Sequence, residues 1–171
     1  FGSPLEGEGR QDVLDIDGNR TGKTVQRGTK LDSNEFHLVV HVWISDLNGN
    51  FLIQKRAKHL EWMPGIWAAT GGAVIHNESS LDAAVRETRE ELGLDISPDR
   101  FIKLKRIKET GKIADIYLVS GAREDFLPII LCDEVADVFW ASWKAMVEMV
   151  QRNEFVPYEY LNALKDVTSI I

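Results

Sequence analysis

The chain is short of three things, and each shortage closes off a class of protein. One cysteine, Cys132, stands in 171 residues, so no internal disulfide framework is available and the composition fits a reducing cytoplasm. Cations are outnumbered, 20 Lys and Arg against 27 Asp and Glu. A net charge of −7 leaves no global basic field to draw in a nucleic acid polymer or an anionic membrane. A phosphate group would have to be recognised locally and with the help of a metal. No apolar run approaches the ~18 residues of a membrane span, and no secretory pattern is present. Internal repeats and low-complexity tracts are also missing. What is there, 44% apolar residues, suffices for one sizeable core. The chain opens FGSPLEGEG without an initiator Met. Residues 1–11 are set aside as a tag or disordered N-terminal segment, and 12–171 are expected to form one domain.

Periodicity and turn chemistry give the order of elements. VLDID, 12–16, reads as a short strand closed at Gly18-Asn19, and the polar TGKTVQRGTK after it reads as loop. HLVVHVWI, 37–44, is apolar and β-branched, the signature of a strand buried on both faces; it serves the core or a homodimer interface. Asn48-Gly49 is a hairpin turn into the strand FLIQKR. AKHLEWMPG is a loop with breakers Pro64 and Gly65, and IWAAT is a strand leading to residue 72. Beyond Leu94, FIKLKRI and IADIYLVS pair across Thr110-Gly111, GAREDFLP is a loop, and VADVFW is a strand. Ser142 caps the helix WKAMVEMVQRN, and Pro157 opens a last short helix, PYEYLNALK. Hairpins and crossovers together call for an α/β layered domain with a mixed sheet.

The densest signal runs from Gly72 to Leu94, GAVIHNESSLDAAVRETREELGL. Ser79 and Asp82 suit a helix start, and Gly93 supplies a left-handed stop. Leu81, Ala84, Val85, Thr88 and Leu92 fall on one buried stripe, and Glu87, Glu90 and Glu91 crowd a sector of roughly 100° beside it. Crowded carboxylates repel, and the basic residues Arg86 and Arg89 sit on the other flank. A divalent cation is the natural remedy. Hard oxygen donors favour Mg²⁺ or Mn²⁺ over Zn²⁺ and suit a phosphate-bearing ligand. Gly71-Gly72 lets backbone approach that metal, with a carbonyl as an extra ligand. An exposed acidic helix would account for the glutamates but not for their offsets. Seven Gly, Glu or Arg positions match fixed spacings, a coincidence of about 10⁻⁸ if each match has a chance of roughly 1 in 15.

The stretch resembles the Nudix box, G-x5-E-x7-R-E-u-x-E-E-x-G-u, at every position but one. Thr88 stands where an aliphatic residue is usual, on the buried stripe and away from the carboxylates. Further similarity, from about 12 to 165, is to a bacterial Nudix (MutT-like) subgroup related to the isopentenyl-diphosphate isomerase branch. The resemblance implies an α/β/α sandwich with a mixed β-sheet. The activity it implies is Mg²⁺-dependent hydrolysis of the diphosphate bond in a nucleoside diphosphate linked to another moiety, a small-molecule substrate. It further implies Glu87 and Glu91 as principal metal ligands, Glu90 as a further or water-shell ligand and the Gly71 carbonyl as a completing one. Arg86 would orient Glu87, with Glu78 an outer partner. A general base from outside the box would be Glu134, or else Asp115 on IADIYLVS.

Outside the box, Lys55 and Arg56 are candidate phosphate clamps, although strand-end cations are commonly just solvated. His37 and His41 share a strand face but lack the company of a zinc site. Trp62 and Trp67 could stack on a base or fix their loop, and Tyr117 is equally open. Two other functions compete. An isomerase of that branch needs a cysteine near the start of the box, where this chain has WAATGG. A non-catalytic nucleotide-binding module would usually have lost box acids that are all present here.

Overall fold

The computed structural model describes residues 9–167, so residues 1–8 of the segment set aside lie outside the described residues. The first strand, β1 (Arg10–Leu14), already uses Arg10 and Gln11, and pairs antiparallel with β2 (Arg20–Gln26). The strand stops before Asp15, and not at residue 16, because the Asp15 carboxylate takes the amides of Asp17 and Asn19, each at 2.9 Å, to close the turn. The TGKTVQ segment read as loop is therefore a strand. Its polarity reflects a β2 largely exposed on both faces, where no apolar alternation is needed.

The main sheet is built from β3 (His37–Ser45), β4 (Asn50–Arg56), β5 (Trp67–Ala68), β6 (Thr70–Ala73), β7 (Ile102–Glu109), β8 (Lys112–Ser120) and β9 (Val135–Ser142). The order is β5-β4-β3-β8-β7, with β6 also on β3 and β9 also on β4. β3 and β8 run parallel and the other pairs antiparallel, so the sheet is mixed as expected. Two helices, α1 (Ser80–Leu92) and α2 (Trp143–Gln151), cover its two faces. Alternation along β3 explains the layers. Val40, Val42 and Ile44 join Leu52, Val119 and the α1 residues Ala83, Ala84 and Leu92 in one core. Trp43 faces the other way, among Phe51, Ile53, Ile116, Leu118, the α2 residues Met146 and Met149, and Phe155. With neighbours on both edges and both faces, β3 belongs to the core.

IWAAT does not stay in one strand. Its chain leaves β4 after Ala68 and joins β3 at Thr70, crossing a split where β3 and β4 remain paired only at Ser45 and Phe51. GAREDFLP contains a 3-10 turn, Arg123–Phe126, because Phe126 is fully buried and Arg123 reaches the Asp46 carboxylate at 2.8 Å. The helix expected from Pro157 is absent, and only Leu161–Leu164 winds into a 3-10 turn. Tyr158 and Tyr160 are drawn instead into a ring cluster with His41 and Trp43, which the 3.6-residue period of a helix would pull apart. No helix among the described residues is long and apolar enough to cross a membrane.

Candidate active site

The split in the sheet is where α1 delivers its carboxylates. The helix begins as its sequence requires, with the Ser79 hydroxyl accepting the Asp82 amide at 3.0 Å. It ends at Gly93, with φ of 69° and a Cβ-free approach to Ile130. Thr88, the odd residue of the box, is fully buried and satisfies its hydroxyl on the Ala84 carbonyl at 2.8 Å.

Arg86 is the hub of the cluster. Its Nε and Nη2 grip Glu78 at 2.7 and 2.9 Å, Nη1 donates to Glu87 at 2.9 Å and Glu90 at 3.2 Å, and Nη2 also donates to the Ala73 carbonyl at 3.0 Å. All five guanidinium hydrogens are thereby used. Burial opposes the Arg86 charge, but Glu78 and Glu87 outweigh burial and raise its pKa. Glu78 is thus the far anchor that aims Arg86 at Glu87.

Glu87, mostly covered, and Glu91, buried, form a side-chain pair. Burial raises the pKa of Glu87 against the pull of Arg86. Burial and then the Glu87 charge push Glu91 well above the carboxylate range. Glu91 accepts from Gln54 Nε2 at 2.5 Å and from the Gly71 amide at 3.2 Å. Since the N–H and C=O of a strand residue point to one side, the Gly71 carbonyl also faces this gap. Glu90 stands apart, its side chain 52% exposed and bound to Arg86. Among the described residues no three His, Cys, Asp or Glu side chains form a ready-made cage, so the expected trio is a buried pair with an outlying third. The pair still fits a hard divalent cation. Two adjacent carboxylates largely withdrawn from water repel each other unless a cation joins them, and the ligands they offer are oxygen.

Sequence reasoning passed over Gln54. Its carboxamide is buried, donates to Glu91 and accepts from the Thr70 hydroxyl at 3.1 Å. The available signal was one polar residue closing the apolar run Phe51-Leu52-Ile53 in a central strand.

The other candidates separate clearly. Glu134 is exposed immediately before β9, with its carbonyl on the Ala57 amide at 2.9 Å. Asp115 is fully buried and engaged by Arg106 through both oxygens, at 2.6 and 2.9 Å, and by Lys103 at 3.2 Å. Burial would raise its pKa, but Arg106 and Ser80 hold it low, which suits a structural ion pair and not a base. Lys55 lies between Trp67 and Asp137, on the face of β4 opposite Gln54. Arg56 binds the Trp62 carbonyl at 2.8 Å. His41 is packed against Tyr158 and Tyr160, and burial lowers its pKa to about 4; burial lowers His37 as well. Trp67 packs against Phe139, and Tyr117 bonds Ser80 at the start of α1 at 2.6 Å. Cys132, remote in sequence, has its amide on the Glu91 carbonyl at 3.3 Å, and burial holds its thiol protonated.

Sheet, helix and acid cluster together define a Nudix domain, and comparison with known proteins agrees. The NUDIX domain family model matches residues 35–167. An uncharacterized Nudix hydrolase of Listeria innocua is 37% identical over 165 residues, covering 93% of this chain and 96% of that protein. An isopentenyl-diphosphate Delta-isomerase of Cutibacterium acnes is 28% identical, covering 81% of this chain and 76% of its own. A Deinococcus radiodurans crystal structure superposes with a TM-score of 0.74 at 16% identity, over 91% of this chain and 97% of that one, a likeness of fold. The chain belongs to the Nudix family and is a hydrolase of the kind that cleaves pyrophosphate bonds with a divalent metal.

Proposed function

We propose that the protein is a Mg²⁺-dependent pyrophosphohydrolase, with Mn²⁺ as a substitute, acting on a nucleoside diphosphate linked to another moiety. The buried Glu87–Glu91 pair, framed by Arg86 and Gln54, carries this reading. Glu87 and Glu91 would hold the cation, with the Gly71 carbonyl beside them and Glu90 joining from the rim directly or through water. When bound, the cation neutralises the diphosphate and acidifies water for in-line attack at phosphorus. Arg86 fixes the Glu87 rotamer, so the carboxylate need not reorganise as charge develops. Glu134 takes the proton of the attacking water as a new P–O bond forms and the bridging P–O bond breaks. Arg56, in reach of the same end of the sheet, meets a non-bridging phosphate oxygen; Lys55 on the opposite face is the weaker clamp.

The test is product release from nucleoside triphosphates, nucleotide sugars, ADP-ribose, dinucleotides and isopentenyl diphosphate, with and without Mg²⁺, beside Glu91→Gln. Metal-dependent cleavage lost in Glu91→Gln is the expected result. Double-bond migration in isopentenyl diphosphate, or silence on every nucleotide, would overturn the reading.

A further inference from the structure

We infer that Trp62, in contact with Arg56 and Lys112, is the platform on which the nucleobase of the substrate stacks, with the two cations meeting its phosphates. The inference rests on the diphosphate-hydrolase reading above and names which part of the chain recognises the nucleoside. Trp62 and Trp67 border the same loop, but they are placed differently. Trp67 is packed against Phe139 at 6.2 Å between centroids, the ordinary fate of an aromatic beside Pro-Gly. Trp62 is 49% exposed. The Arg56 guanidinium lies 4.8 Å from its ring and the Lys112 ammonium 5.6 Å from it, so cations from the end of β4 and the start of β8 converge on one solvent-facing indole.

Charge makes that convergence informative. In a chain of net charge −7, the Arg56 guanidinium has no carboxylate partner among the described residues, and Lys112 has only Glu109 at 3.6 Å. Cations left open beside a flat aromatic suit a ligand that is anionic at one end and planar at the other.

Position supports the same conclusion. Arg56 lies two residues beyond Gln54 on β4, and the loop that carries Trp62 runs through β5 into Thr70 and Gly71, which bond Gln54 and Glu91, so Trp62 stands beside the strands that line the gap. The loop is also held in advance of any ligand. Gly65 donates to the Arg56 carbonyl at 3.0 Å, Arg56 Nε donates to the Trp62 carbonyl at 2.8 Å, and His59 meets Asp133 at 3.5 Å. A preformed platform loses little entropy on binding.

The experiment measures calorimetric binding of ADP and of inorganic diphosphate to the full chain in Mg²⁺, for the native protein, Trp62→Ala and Trp62→Phe. Melting curves would verify that each variant is folded. Trp62→Ala should weaken ADP roughly tenfold or more, the scale of one base–aromatic stack, and leave inorganic diphosphate within about twofold. Trp62→Phe should retain most of the affinity. ADP affinity unchanged in Trp62→Ala would overturn the inference, and so would equal loss of ADP and diphosphate, which would mean that Trp62 only holds Arg56. Absence of ADP binding to the native protein would overturn it too. Trp62-dependent ADP binding without turnover of any nucleotide would sink the proposed hydrolysis and keep the platform. Nucleotide turnover with an unchanged KM in Trp62→Ala would do the reverse.

Discussion

Replacing Gly72 by Ala should disable the site without unfolding the protein. A Cβ at Gly72 would lie 2.5 Å from Glu87 Oε1, 2.7 Å from its Cδ and 3.0 Å from Oε2. Ordinary contact begins at 3.4 Å, so the carboxylate must retreat by about 1 Å. Its direct cationic partner, Arg86, is itself fixed by Glu78 and Ala73, so the retreat breaks the 2.9 Å bond and opens the Glu87–Glu91 pair. A misplacement of that size costs on the order of 10²-fold in kcat/KM, about 2.7 kcal/mol of transition-state stabilisation. The atoms struck end a side chain, so the melting temperature should move little. Gly71→Ala is the contrasting case, because its Cβ would fall 2.1 Å from the Val40 carbonyl oxygen, backbone of the central strand. That variant should lose roughly 3 kcal/mol of stability. Steady-state product release and thermal melts on both variants, with Glu87→Asp added to Gly72→Ala as a rescue by one methylene, make the assay. Native kcat/KM in Gly72→Ala would refute the reasoning, as would inactivity that comes only with unfolding.

Two further outcomes follow from the neighbours of this site. Gln54→Leu removes a donor from the buried Glu91 and should cut activity or metal affinity about 10- to 100-fold, which a Mg²⁺ titration of activity would read. His41 titrates near 6.5 when unfolded but is lowered to about 4 by burial, so the unfolded chain binds the extra proton first. Its contribution to stability is present above 6.5 and is lost as pH falls toward 4. The contact involved is the 2.7 Å bond between Nδ1 and the Tyr160 hydroxyl, which also accepts from Trp43 Nε1 at 3.0 Å and so donates its own hydrogen to a neutral ring. Urea unfolding at pH 7 and pH 5 should show native protein weakening more than His41→Gln, and parallel losses would refute this.

The sequence by itself determined the catalytic helix and its limits, from the Ser79 cap to the Gly93 stop, because capping and 3.6-residue periodicity are local. It also named the order of most strands, since alternation and turn residues act within a few positions. It misjudged β2, whose polar residues become a strand only when β1 lies beside them, and the segment after Pro157, whose tyrosines are claimed by His41 and Trp43. The site divides the same way. Arg86, Glu87, Glu90 and Glu91 were legible as a spacing, but only tertiary structure separated the buried pair from the outlying Glu90. It also occupied Asp115 with Arg106, and brought Gln54 to a helix remote in sequence. The Gln54 contact depends on the split between β3 and β4, which no local pattern encodes, because it arises from one short segment crossing between two strands to complete both, and the Asp115 pair depends on the pairing of β7 with β8.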